Sequence, residues 1–79
     1  MKVLLFATLK ERAGAPRIDV RLDGATTVAA FRALVAAQHP TLGPLLPQAL
    51  VAVNQEFAFE EDAISPTDEV AIFPPVSGG

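Results

Sequence analysis

Two glycines, Gly78 and Gly79, close the sequence, and chemistry is most readily read there. They follow Phe73-Pro74-Pro75-Val76-Ser77, so an apolar strand-like run passes into a proline-stiffened stretch and then into two residues without side chains. Glycine lacks Cβ and tolerates positive φ, so a second protein can close tightly around its backbone. A Gly-Gly end suits threading a narrow channel and presenting its carboxylate on the far side. The competing reading is a frayed, glycine-rich terminus. A terminal carboxylate ionises near ~3.3–3.7 and is a poor electrophile at neutral pH. Carrying a group by acyl chemistry therefore needs prior activation. Attack on ATP would give an acyl-adenylate, from which a sulfur nucleophile displaces AMP and leaves a thiocarboxylate. The chain has no recognisable nucleotide-binding motif, so that activation is expected from an enzyme in trans.

The side chains offer little else. There is no Cys, which excludes a disulfide scaffold, a thiolate zinc site and a cysteine nucleophile, and fits a reducing, cytoplasmic setting. His39 is the only histidine and stands before Pro40 at the expected end of a helix, and no catalytic or metal-binding role is read for it. Glu60-Glu61-Asp62 are adjacent carboxylates without the spacing of a calcium loop, and read as a solvated corner. Gly14 and Gly24 belong to no phosphate-cradling pattern. No metal site and no stably bound cofactor are expected.

A net charge of −3 argues against nucleic-acid and anionic-membrane partners, and no apolar run reaches the ~18 residues of a membrane span. The apolar opening Val3 to Leu9 is followed by Lys10-Glu11-Arg12, which places charge where a secretory leader would be neutral. All six basic residues lie in the first 32 positions, where the sum is +3; the rest carries six acids and no Lys or Arg, for −6. Either the halves neutralise each other in the fold, or an acidic surface near the tail steers a basic partner.

These features must be held by few elements, because 79 residues make one small unit with a thin core. Val3 to Ala7 reads as an apolar strand, Leu9 to Pro16 as a polar connector, and Ile18, Val20 and Leu22 as the buried side of an alternating strand. Thr26-Thr27 cap a helix whose buried face is Val28, Phe31, Leu34 and Val35, and Pro40 stops it near His39. Thr41 to Gln48, with Gly43, Pro44 and Pro47, reads as a loop with at most one short turn, its leucines tucked under the helix. Ala49 to Val53 is a strand, Asn54-Gln55-Glu56 a turn, and Phe57-Ala58-Phe59 a short return strand. Ser65-Pro66-Thr67-Asp68 is a turn, and Val70 to Phe73 a last strand ended by Pro74-Pro75. The first and last strands are the most apolar and should be adjacent and central. This order is an α+β β-grasp, ubiquitin-like fold, a mixed sheet with one main helix on one face. A ferredoxin-like fold would need a second helix that the sequence does not display. Residues 1–79 form one domain on this reading, with 74–79 as a flexible tail.

Strand alternation divides the sheet into two faces. Val3, Leu5, Val51, Val53, Val70 and Ile72 are expected beneath the helix. Alternation puts Leu4 and Phe6, and Ala71 and Phe73, on the other side; Phe6 and Phe73 are expected to share the open face, with Phe57 from the return strand. Three exposed rings there make sense if a partner covers them.

The tail Phe73-Pro74-Pro75-Val76-Ser77-Gly78-Gly79, the opening Lys2 to Ala7 with Lys10-Glu11-Arg12-Ala13-Gly14, and Val51 to Glu56 before Asp68-Glu69-Val70-Ala71 resemble one family over the whole length. It is the molybdopterin synthase small-subunit (MoaD) family of sulfur carriers, related to the thiamine sulfur carriers and ubiquitin-like proteins. Ser65-Pro66-Thr67-Asp68 departs from it, since the family often has a glycine-containing turn there. The resemblance implies a non-catalytic carrier subunit of a sulfurtransferase complex. Gly79 would be adenylated by a ubiquitin-activating-type enzyme using ATP, then receive sulfur from a donor protein as a thiocarboxylate. Pro74, Pro75, Val76, Ser77 and Gly78 would thread the tail into the synthase large subunit, where sulfur passes to a cyclic pyranopterin. Partners on this reading dock at Phe6, Phe57 and Phe73. A sibling carrier for thiamine, cysteine or tRNA thiolation, a ubiquitin-like modifier joined through Gly79 to lysine, and an interaction module with an inert tail remain open on the residues.

Overall fold

In the computed structural model, which describes residues 1–75, the chain runs β1 (Lys2–Leu5), α1 (Ala7–Ala13), β2 (Arg17–Asp19), β3 (Thr26–Thr27), α2 (Val28–Gln38), a 3-10 segment (Pro40–Gln48), β4 (Leu50–Val53), β5 (Glu56–Phe57), β6 (Ala63–Ile64) and β7 (Val70–Phe73). The expectations for Val76, Ser77, Gly78 and Gly79 lie outside the described residues. Five strands form one mixed sheet in the order β2-β1-β7-β4-β5, and β3 pairs with β6 apart from it. The first and last strands are neighbours, as their apolar character requires, and they run parallel with Val3 opposite Val70 and Leu5 opposite Ile72. The other pairings are antiparallel. This is the β-grasp arrangement.

α2 begins and ends where its sequence dictates. The Thr27 hydroxyl accepts the Ala30 N–H at 3.2 Å, satisfying one orphan donor of the first turn, and the helix stops at His39 before Pro40. Its buried residues are Val28, Phe31 and Val35; Leu34 is only partly covered. They pack with Val3, Leu5, Val51, Val70 and Ile72 from one face of the sheet, while Val53, expected in this set, is half-buried at the core's margin.

Four local readings need correction. Leu9 to Pro16 is not a polar connector: Ala7–Ala13 is a helix, with Leu9 fully buried and Gly14 at φ 73° donating its N–H to the Lys10 and Glu11 carbonyls. Two turns are too short for a periodic pattern, and such a helix draws its stability from docking. The strand expected to reach Leu22 ends at Asp19, because its partner β1 begins at Lys2. Only Met1 remains, and it exchanges backbone bonds with Val20 in both directions at 2.9 Å. The 40–48 segment is a nine-residue 3-10 run rather than a loop, with Leu42 and Leu46 buried and Leu45 half-buried. Pro44 and Pro47 remove donors that an α-helix needs, so the tighter turn takes over. The return strand keeps only Glu56–Phe57 plus one bond from the Ala58 N–H to the Val51 carbonyl, after which Phe59 and Asp62 bond to each other across a turn. The Ser65–Asp68 turn forms as read, the Asp68 N–H bonding to the Ser65 carbonyl at 3.0 Å.

Arg32 ties these pieces together. Its guanidinium meets Glu60 bidentately at 2.8 and 3.2 Å, and its remaining nitrogen donates to the Leu46 and Ala49 carbonyls at 2.6 Å each. The Glu60 carboxyl is held below its ordinary value by hydrogen bonding to Arg32. Among the described residues the Arg32–Glu60 bridge is the one ion pair that joins the basic and acidic parts of the sequence.

Candidate functional site: the open face of the sheet

Side chains on the face away from α2 follow from the register. Arg17, Leu4, Ala71, Ala52 and Phe57 form one row across all five strands, because each is paired with the next. Phe73 and Leu50, paired to each other, lie one step nearer the end of β7. Phe6 follows β1 with extended backbone and reaches the same face. Its ring stacks on Phe73 with centroids 4.5 Å apart and planes 8° from parallel, and Phe57 meets Phe73 edge-on at 5.8 Å. Both geometries are favoured for aromatic quadrupoles. The rings expected on this face thus form one cluster centred on Phe73.

The local backbone keeps Phe6 there. Ala7, at the start of α1, has φ 51°, a conformation an L-residue adopts at a cost. The chain bends from strand into helix at that residue. The Phe6 N–H still bonds to the Ile72 carbonyl, so its backbone remains fixed to β7 while α1 turns away.

Phe6 is 40 % exposed and Phe57 69 %, whereas Phe73 between them is half-buried. A groove of about 300 Å³ opens beside the cluster, bounded by Leu4, Ala52, Ala71, Gln55 and Glu69 as well as the rings. Leu50, 38 % exposed and paired with Phe73, extends the apolar surface. Sequence reasoning missed Leu50 and Ala52. Alternation with Val51 was the available signal for Leu50, but the alanine floor depends on strand register. Phe59 is exposed too, yet it is not among the groove's residues.

The rim is polar. Lys2 bonds to Asp19 at 2.9 Å across the β1–β2 pair, and this hydrogen bond, with the lysine charge, lowers the Asp19 carboxyl's pKa. On the opposite side Asn54 bonds to Asp68, and Gln55 reaches Glu69 at 3.4 Å. The Asp68 carboxyl is lowered by the Ser65 N–H and then by Asn54. β7 carries Phe73 directly into Pro74 and Pro75, half-buried and exposed respectively, so the route to the tail leaves from the aromatic cluster.

Nothing in this arrangement is a catalytic constellation. His39 lies elsewhere, its Nε2 donating to the Asp19 carbonyl at 2.7 Å and so tying α2's end to β2. Among the described residues no three His, Cys, Asp or Glu side chains are grouped to hold a metal ion, and no helix is long and apolar enough to cross a membrane. What the face supplies is an apolar surface at the root of the C-terminal segment.

Known proteins resemble this chain along its whole length. The chain is 42 % identical over 82 residues to the molybdopterin synthase sulfur carrier subunit of Chlamydomonas reinhardtii, covering 100 % of this chain and 98 % of that one. It is 43 % identical over 88 residues to small archaeal modifier protein 1 of Haloferax volcanii, covering both chains completely. The crystal structure of SAMP1 from Haloferax volcanii superposes with a TM-score of 0.79 at 38 % identity, over 100 % of this chain and 98 % of that one. The profile of the ThiS family matches residues 3–79, and with a β-grasp fold and relatives of this kind the chain belongs to the ThiS family.

Proposed function

We propose that this protein is a sulfur carrier for molybdopterin synthesis. Its Gly79 carboxylate attacks the α-phosphorus of ATP on an adenylating enzyme, releasing pyrophosphate. Hydrosulfide released by a donor protein then attacks the acyl carbon, breaking its bond to the AMP phosphate oxygen, so that AMP leaves and a thiocarboxylate remains. The tail, Pro74 to Gly79, enters the synthase large subunit and gives its sulfur to a cyclic pyranopterin. This chain contributes the carrier atom and the docking surface; ATP and the catalytic side chains belong to its partners.

The observation that carries this reading is the aromatic cluster at the root of the tail. A partner that covers Phe6, Phe57 and Phe73 takes hold of β7 where the chain passes into Pro74-Pro75. Full-length similarity to a molybdopterin synthase sulfur carrier subunit supports the same assignment. The test is reconstitution with purified large subunit and adenylating enzyme. Deleting Gly79, or adding one uncleaved residue after it, is expected to abolish sulfur transfer while the far-UV spectrum stays unchanged. Full activity from the extended chain would overturn the proposal.

A second reading, favoured by the 43 % identity to small archaeal modifier protein 1, is conjugation of Gly79 to lysines of other proteins. It uses the same adenylate with an amine in place of sulfur. Higher-mass species carrying this chain in cell extract, absent when Gly79 is deleted, would support it.

A further inference from the structure

The groove beside the phenylalanines has a shape and a charge that a flat apolar contact does not explain. Its floor is Ala52 paired with Ala71, two of the smallest side chains, at the middle of the five-strand row. Leu4 on one side and Phe57 on the other rise above that floor. At one end stand Gln55 and Glu69.

Glu69 has little to hold it. Among the described residues its carboxylate accepts only the 3.4 Å contact from Gln55, whereas its neighbour Asp68 accepts the Ser65 N–H at 2.8 Å and the Asn54 amide at 3.1 Å. No Lys or Arg follows Arg32 in the sequence, and Glu56 and Asp68 nearby add charge of the same sign. The cation nearest in register is Lys2, which precedes the Val3–Val70 pair as Glu69 does, and it is committed to Asp19 at 2.9 Å.

We propose that this groove is a socket for one arginine side chain of the docking partner, the synthase large subunit, with the stem over Ala52 and Ala71 and the guanidinium on Glu69. The inference rests on the reading that this face docks on that subunit. A purely apolar plug would strip water from Glu69 and leave a desolvated charge without a partner. An arginine stem covers apolar floor while its planar head pairs bidentately with a carboxylate. Lysine offers a point charge without that fork.

The test measures binding of the full-length chain to purified large subunit at several salt concentrations, with thermal melts of each variant alone. Ala71→Leu fills the floor and Glu69→Gln removes the charge; Glu69→Lys reverses it; Phe57→Ser removes a ring of the docking face that is also one wall of the groove and leaves Glu69 in place. The expected result is a Kd raised about tenfold or more by Ala71→Leu and by Glu69→Gln, with a larger loss for Glu69→Lys. Glu69→Gln also flattens the salt dependence of association. Wild-type binding by both Glu69 variants, with Phe57→Ser weakened, overturns the arginine socket and leaves the docking face standing. Wild-type binding by Phe57→Ser as well removes the docking reading and the socket with it. If Ala71→Leu fails to fold, the Glu69 pair still decides.

Discussion

Replacing Arg32 with methionine keeps an apolar stem against α2 and deletes the head that joins three elements. The wild-type guanidinium makes two 2.6 Å bonds to the Leu46 and Ala49 carbonyls and a bidentate pair with Glu60, and the Arg32 side chain is only 15 % exposed. A bond involving a charged group contributes about 1.5–3 kcal/mol, and a part of that is recovered when water reaches the freed carbonyls, so the expected loss is roughly 2–4 kcal/mol. A fully exposed ion pair would contribute only about 0–1 kcal/mol, so the magnitude separates a buried tie from a surface pair. Chains of this size have total stabilities of about 4–12 kcal/mol, and the loss should lower Tm by roughly 8 °C or more. The chain has no Trp or Tyr, so urea melts are best followed by far-UV circular dichroism. Glu60→Gln leaves the two carbonyl bonds in place and should cost distinctly less. A change below about 0.5 kcal/mol for Arg32→Met would refute the reasoning, because it would mean those carbonyls are equally well served by water.

Other outcomes follow from the same geometry. The carboxyls of Asp19, Glu60 and Asp68 are all lowered from ordinary values of 3.8, 4.5 and 3.8. Their contribution to stability is therefore complete above those values and lost as pH falls through the lower folded ones; urea midpoints should drop on acidification toward about pH 2, less steeply in Asp68→Asn. Asn54 and Gln55 form the two-residue β4–β5 turn with φ 52° and 70°, so Gln55→Gly should raise stability by about 0.5–1 kcal/mol in the same melts. Phe57 is already 69 % exposed, so Phe57→Ser should cost the free chain under about 1 kcal/mol while weakening large-subunit binding by roughly 1–2 kcal/mol, read by calorimetry.

Much of this fold is legible because its main elements carry strong periodic signals. Val28, Phe31 and Val35 recur at helical spacing between a Thr27 cap and a Pro40 stop, and α2 follows. The apolar character of β1 and β7 places them side by side, and alternation within them puts Phe6 and Phe73 opposite Leu5 and Ile72. The elements that escaped are those too short to show a period. α1 offers Leu9 and Ala13 four residues apart and a glycine just beyond, and β3 and β6 are two residues each. The 3-10 run was hidden by its prolines, which exclude an α-helix without excluding i→i+3 turns. The face itself was read, but its groove was not. Ala52 and Ala71 gain meaning only when register sets one against the other, and register belongs to strand pairs rather than to either strand.

The most direct measurement of the central claim is the intact mass of the chain after incubation with adenylating enzyme, ATP and a sulfur donor. A sulfur carrier is expected to gain the mass difference between one sulfur and one oxygen, localised to Gly79 by fragmentation, and to return to its starting mass when large subunit and pyranopterin are added. A chain that turns ATP over to AMP and pyrophosphate yet never exchanges oxygen for sulfur with every donor supplied, while the synthase still makes molybdopterin, would contradict the account.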